Sequence, residues 1–305
     1  MKGPSASPVP DSPWTIAVLG PGGVGGLLAA LLSRAGHRVI VLAGDDTVQT
    51  LRHNGIEVRS GQFGHFTARV QADVELREPV DACFIAVKHT SLRAALERFP
   101  PAFADDTLIV PLLNGTEHPD ALRSRYGAHR VAGGVIRVES TRTAPGVIEH
   151  GSPFMEIDLP AKPARADALA AVLDGAGVQT RLVEDEQAAL WAKLAFLAPW
   201  ALLSTHHRVP IGALRTDHRA ELEALVTEVA TVAGACGATT SPDKALALYD
   251  AFPADSKSSM QRDAEAGRPL ELDAIAGAVL RAGDRHDIPV PITARLSATL
   301  GLGAG

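Results

Sequence analysis

The stretch Thr15-Ile16-Ala17-Val18-Leu19-Gly20-Pro21-Gly22-Gly23-Val24-Gly25-Gly26 decides how the chain is read. Five residues suited to a buried strand run straight into Gly20-x-Gly22-x-x-Gly25, and the apolar run Leu27–Leu32 then predicts a helix that ends at Gly36. The glycines of such a turn are not interchangeable. The first permits the sharp bend, the second lets a pyrophosphate reach the backbone, and the third lets helix pack on strand. The helix N-terminus adds free N–H groups and the positive end of the helix dipole. Arg38–Leu42 predicts a second strand beyond the helix. This strand–turn–helix–strand context separates a dinucleotide site from an ordinary glycine-rich turn. Gly20, Pro21, Gly22, Gly23, Val24 and Gly25 are therefore the candidate cofactor-binding residues.

The whole chain narrows the function further. With 305 residues, 46% of them hydrophobic, it can bury the cores of about two domains. A formal net charge of −6 argues against a nucleic-acid partner, because recognition of a phosphate backbone needs a basic face. No uninterrupted apolar run approaches the roughly 18 residues of a membrane span, so no membrane is expected. Residues 1–13, rich in Pro, Ser and Gly, lack the basic and apolar regions of a signal peptide and predict a flexible tail. Cys83 and Cys236 lie far apart, form neither a CxxC pair nor a zinc spacing, and point to a reduced, cytoplasmic protein. Among the eleven histidines there is no HExxH. The adjacent pair His206-His207 would diverge by about 100° on a helix, so no metal site is expected.

Downstream, the polar segment Asp45–Asn54 predicts loop and helix, and strands are expected over Gly64–Val70, Ala82–Val87 and Leu108–Val110. They alternate with helical stretches such as Ser91–Arg98, the pattern of a parallel sheet buried on both faces. A ligand of such a sheet lies beyond the carboxyl ends of its strands. Lys88 and Asn114-Gly115 stand at two of those ends and converge there with the glycine loop. Taken singly, they read equally well as a solvated lysine and a turn. Short β runs with a turn at Ala144-Pro145-Gly146 occupy Val131–Leu159 and predict an antiparallel extension of the first domain. From about Glu184 the pattern becomes helical, over Glu186–Leu203, Arg219–Ala235 and Leu272–Ala282. The expected domains are thus 14–183, binding the dinucleotide, and 184–305, helical, carrying substrate and catalytic groups.

The glycine loop is accompanied by Ala86-Val87-Lys88, Leu113-Asn114-Gly115, Leu190-Trp191-Ala192-Lys193-Leu194, Ser258-Ser259-Met260 with Asp263, and Glu271-Leu272-Asp273 with Gly277. In order and spacing, from Thr15 to Thr293, this set resembles the ketopantoate reductase (2-dehydropantoate 2-reductase) family. The resemblance implies an α/β fold: a Rossmann-type dinucleotide-binding domain followed by an all-α domain like the C-terminal domain of 6-phosphogluconate dehydrogenase, with the active site in the cleft between them. It implies that Lys193 is the general acid, protonating a carbonyl oxygen while the nicotinamide delivers hydride to the carbon. Glu271 would hold that lysine and a polar group of the substrate, Ser259 and Asn114 would bind substrate, and Lys88 and Asn114 would lie at the cofactor's edge. The chemistry is coherent on its own terms, since an oxyanion develops as hydride arrives and a cation aimed at it lowers the barrier. Without the family, Lys193 reads as a snorkelling lysine on an amphipathic helix and Glu271 as a surface carboxylate at a helix start.

Two departures from the family stand out. Four and eight positions after the lysine the family has asparagines, and here stand Leu197 and Ala201, on the same helix face. Pro199 lies in that helix and cannot donate to the carbonyl of Ala195, which predicts a kink. Just after the second strand, where members that bind NADP commonly have an arginine, stand Gly44, Asp45 and Asp46, with Arg52 the nearest basic residue that could compensate. NADP(H) is the expected cofactor, with NAD(H) as the alternative. The expected function is reduction of a small 2-oxo acid, 2-dehydropantoate to pantoate. The alternatives are another carbonyl or imine in secondary metabolism, and a non-catalytic cofactor-binding protein. The expected partner is the small-molecule substrate, with a homodimer as the candidate assembly.

Overall fold

The computed structural model of the chain describes residues 12–302. Most of the expected tail, residues 1–11, lies outside them. The described chain forms two compact units. The first runs to Leu113 and takes in His118–Glu186, and the second holds Asn114–Glu117 and the chain from Gln187 onward.

The first unit has, in chain order, β1 (Thr15–Leu19), α1 (Gly23–Arg34), β2 (Arg38–Leu42), α2 (Asp45–Asn54), β3 (Ile56–Ser60), β4 (Gly64–Ala68), β5 (Gln71–Asp73), β6 (Ala82–Ile85), α3 (Leu92–Ala95), β7 (Leu108–Pro111) and α4 (His118–Tyr126). There follow β8 (Val135–Arg137), β9 (Ser140–Ala144), β10 (Val147–His150), β11 (Glu156–Pro160), α5 (Ala166–Gly175) and β12 (Gln179–Val183). A parallel sheet of order β5-β2-β1-β6-β7 is its frame. Along β1 the side chains feed two separate cores: Ile16 and Val18 pack with Leu27, Leu28 and Leu31 of α1, while Ala17 and Leu19 join Cys83, Ile85 and Phe99 on the other face. A strand buried on both faces has no position to offer solvent, which is why its sequence is apolar without alternation. The strand order reverses at β1, with β2 on one side and β6 on the other. The glycine loop that follows β1 therefore opens at the switch point of the sheet.

Three local expectations are corrected. The run Gly64–Val70 does not enter the parallel sheet: β4 pairs antiparallel with β3, and the short β5 takes the place beside β2. Four of the five β4 residues are at least partly exposed, as suits a hairpin strand rather than a buried parallel one. The strands of Val131–Leu159 are shared between two small sheets, where β9–β10 and β8–β11 pair antiparallel but β10–β3 and β11–β12 pair parallel. Ser91–Arg98 is not one helix: two 3₁₀ turns, His89–Ser91 and Leu96–Arg98, flank the single turn of α3.

α6 (Glu186–His207) leads into the second unit, followed by α7 (Ile211–Thr216), α8 (Arg219–Ala235), α9 (Pro242–Ala251), α10 (Ser259–Glu265), a π-helical turn Asp273–Gly277, α11 (Ala278–Arg285) and α12 (Pro291–Thr299). α6 is continuous through Pro199. It is long and apolar enough to cross a membrane by length and composition. Most of it is nevertheless buried within the protein, where Leu194, Ala195, Ala198, Ala201 and Leu202 share one core with Leu222, Leu225, Val226 and Val229 of α8. Its apolar character is that of a core helix.

Candidate active site

The glycines of the first unit differ in what the fold asks of each. Gly20 adopts φ +93°, in the left-handed region, and a Cβ there would also strike Val87. A Cβ on Gly25 would run into the carbonyl oxygen of Gly20, so this glycine lets α1 seat on the turn. Gly22 differs: its conformation is extended, and a Cβ would come no closer than 4.0 Å to its neighbour, the Ala86 carbonyl oxygen. Among the described residues nothing demands glycine at position 22, and the open space beside it has the form of a cradle in which a pyrophosphate could reach the backbone. Gly23 is held by Ser140, whose Oγ donates to the Gly23 carbonyl at 2.9 Å. Pro21 is buried and Val24 half-buried against the core, and α1 begins at Gly23 with no side chain capping its first turn. Lys88 is exposed, three residues beyond β6, and Ala86 and Val87 between them line the back of Gly20.

In the second unit, Asn114 and Glu271 come together from positions far apart in the chain. Asn114 Nδ2 donates to Glu271 Oε2 at 3.2 Å. The contact depends on Gly115, which has φ +90° and lies so close to the π turn that a Cβ would stand 2.6 Å from the Ala274 carbonyl oxygen. Arg281 closes the same clamp, bonding Glu117 at 2.6 Å and Asp273 at 2.7 Å. A π turn among such groups is a common feature of functional sites, because the widened turn re-aims the residues on either side. Glu271 precedes the helix, as expected, but it is only 7% exposed, so it is not the surface carboxylate that its position alone suggests. A buried carboxylate is retained at a cost unless it is hydrogen-bonded or paired.

Lys193 is half-buried on α6, with Leu197 half-buried one turn on and Ala201 fully buried beyond it. Ser259 is exposed as the first residue of α10. Its neighbour Ser258 is buried and caps that helix, accepting from the Gln261 N–H at 3.1 Å while its Oγ lies 2.8 Å from Ser204 Oγ of α6. The serine pair ties the segment that presents Ser259 to the helix that presents Lys193. Sequence reasoning missed Ser204, although it lies on the same face of α6 as Lys193, eleven residues further along.

A profile of the family described as ketopantoate reductase PanE/ApbA matches residues 16–161, and that of its C-terminal part matches residues 185–302. The chain belongs to the ketopantoate reductase family. The 2-dehydropantoate 2-reductase of Caulobacter vibrioides is 30% identical over 295 residues, covering 95% of this chain and 99% of that one. The crystal structure of a PanE/ApbA family ketopantoate reductase from Ralstonia eutropha matches with TM-score 0.86 at 30% identity, over 94% of this chain and 97% of the other. D-mandelate dehydrogenase, solved with NADH and anilino(oxo)acetate, shares the fold with TM-score 0.85 at 21% identity, over 93% and 96% of the two chains.

As a member of the ketopantoate reductase family the chain is an oxidoreductase that uses a nicotinamide dinucleotide, and the cradle at Gly22 fits that cofactor. The histidines show why ligand geometry outweighs proximity. His207 pairs with Glu221 at 2.7 Å and stacks on His218 with ring centroids 3.8 Å apart, so a ligand atom from each of the three lies within 4.8 Å of the others. Parallel rings set their lone pairs side by side instead of converging on one ion, and Arg295 already pairs with Glu221.

Proposed function

We propose that the chain reduces 2-dehydropantoate, or a closely related branched 2-oxo acid, with NADPH. On this reading the first unit takes the dinucleotide at Gly20–Gly25 with Lys88 beside it, and the second unit supplies the acid and the substrate ligands. The nicotinamide, when bound, supplies hydride to the carbonyl carbon. Lys193 Nζ gives its proton to the carbonyl oxygen and is reprotonated from solvent, so the 2-oxo acid gains one hydride and one proton. Glu271 steadies the lysine, while Asn114 fixes the orientation of the Glu271 carboxylate and Ser259 donates to the substrate. The observation that carries the reading is the buried Glu271 held by Asn114, a carboxylate kept out of water beside a loop shaped by Gly115. The free cysteines, Cys83 and Cys236, fit a cytoplasmic setting.

A second reading has its own support. Leu197 and Ala201 present methyl groups where the family has carboxamides, which favours a carbonyl or imine compound with a more apolar tail. Steady-state oxidation of NADPH with a panel of branched and linear 2-oxo acids decides between the two. The first reading expects 2-dehydropantoate to have the highest kcat/KM. Turnover confined to apolar-tailed compounds would transfer the assignment to the second, and no turnover with any carbonyl would sink both.

A further inference from the structure

The position just past the second strand is where a Rossmann domain meets the ribose of the adenosine half. Here it is the exposed Gly44, followed by the exposed Asp45 and Asp46, and no arginine stands among them. Two guanidinium groups lie nearby. Arg52 is committed elsewhere, with Nε donating to the Ala72 carbonyl at 2.8 Å and Nη2 3.7 Å from Asp73. Arg98, at the end of the 3₁₀ turn after α3, is arranged differently. Its Nη1 donates to the carbonyl oxygens of Ala43 and Val74, each at 2.8 Å, which fixes the guanidinium against the carboxyl ends of β2 and β5. Its Nη2 is left 3.9 Å from the point where a Cβ on Gly44 would stand. Arg98 thus stands beside position 44, at ordinary contact distance from where a side chain there would begin. No carboxylate among the described residues neutralises it.

We propose that Arg98 is the cation that receives the 2′-phosphate of NADPH and sets the preference for NADPH over NADH. The inference rests on the NADPH reading above. A guanidinium already held by two backbone carbonyls loses little freedom on binding and offers a planar fork suited to phosphate. Asp45 and Asp46 act against it, since their carboxylates would accept the bare ribose hydroxyls of NADH, so the charge of Arg98 is what tips the balance.

The test is calorimetric titration of the intact protein with 2′,5′-ADP and with 5′-AMP, which reads the ribose site without turnover. The wild type should bind 2′,5′-ADP about 10- to 100-fold more tightly than 5′-AMP. Arg98→Gln keeps an amide donor for the two carbonyls but carries no charge, and should bring the two probes to near-equal affinity with 5′-AMP binding unchanged. Arg98→Lys, which keeps the charge without the fork, should retain part of the preference. A preference left intact in Arg98→Gln overturns the proposal, as does an equal weakening of both probes, which would make Arg98 a purely structural brace. If the wild type itself shows no preference, the NADPH reading fails before any substitution is made.

Discussion

The glycine loop of the first unit and the Asn114–Glu271 pair of the second hold the two halves of the proposed chemistry, and they differ in how far along the chain their parts come from. The loop is local: Gly20, Gly22 and Gly25 act within one turn, against a strand whose side chains reach two cores. The pair is not local. Asn114 follows a strand of the first unit yet belongs to the second, and it meets a carboxylate 157 positions away. A local device can be damaged by one atom in the wrong place, whereas an assembled one depends on each segment that delivers a residue to it. Breaking each in turn shows whether they divide binding from chemistry.

The largest effect is expected in the second unit, at Lys193. Lys193→Ala should lower kcat by about 10²- to 10⁴-fold, the usual worth of a positioned acid, with NADPH affinity close to that of the wild type. Single-turnover rates and fluorescence titration of the cofactor would show this split. Near-normal turnover would mean that Lys193 merely snorkels from α6.

Within the loop, Gly22→Val and Gly25→Val should part company. The side chain at position 22 enters the cradle, so cofactor affinity should fall by at least about tenfold while the melting temperature stays put. The one at position 25 meets the carbonyl oxygen of Gly20, so the fold itself should lose about 1–3 kcal/mol or more, read in urea. Equal melting temperatures for the two variants would mean that the glycines have no such division of labour.

The same contrast governs what could be read from the sequence. β1, β2 and α8 were legible to the residue, and α1 in kind though not in its start at Gly23, because apolar runs and glycine punctuation are properties of neighbouring positions. The partner of β4 was not, since a strand pattern says that an edge will pair but not with which strand. Nor was the membership of Asn114–Glu117 in the second unit, which rests on the positive φ of Gly115 and the close approach of the π turn. Arg98 was missed for the same reason: it reaches Gly44 across the sheet ends from a turn that reads in sequence as plain helix. The helical pattern of α6 was legible over Glu186–Leu203, and its packing against α8 shows that its length and apolar composition belong to a core helix.

A smaller effect belongs to the three-stranded sheet β12-β11-β8 of the first unit. Asp158 of β11 is 3% exposed and accepts from Arg137 at 2.7 Å and from Arg181 at 2.8 and 3.0 Å. Burial alone would raise its pKa, but the two guanidinium groups outweigh burial and hold it below the ordinary carboxylate value. A lowered folded-state pKa stabilises the fold above the unfolded-state value and loses that contribution as pH falls through the folded one. Asp158→Asn should therefore cost about 1–3 kcal/mol at pH 7, tempered by the exposure of both arginines. Its deficit against the wild type should shrink in acid, below about pH 4. A deficit independent of pH would assign the loss to packing.

The smallest expected effect is the one that bears most on specificity. In the family, carboxamides stand four and eight positions after the lysine, and a substrate hydroxyl bonded there would lose about 1–3 kcal/mol if left without a partner. Here Leu197 offers methyl groups and Ala201 is wholly buried, so neither can bond the 4-hydroxyl of 2-dehydropantoate. Of the two histidines at the end of α6, His207 is engaged by Glu221 at 2.7 Å and stacked on His218, and His206 packs edge-on against His207 with ring centroids 4.7 Å apart, so either one reaching toward a substrate would break these contacts. The hydroxyl should then contribute little to transition-state binding, and kcat/KM for 2-dehydropantoate and its 4-deoxy analogue should agree within about threefold. A family enzyme with both asparagines, measured alongside, should favour the hydroxylated compound by about tenfold or more. A comparable preference in the present enzyme would mean that Glu271 or Ser259 binds the 4-hydroxyl unaided, and that the substitutions at 197 and 201 leave specificity unchanged.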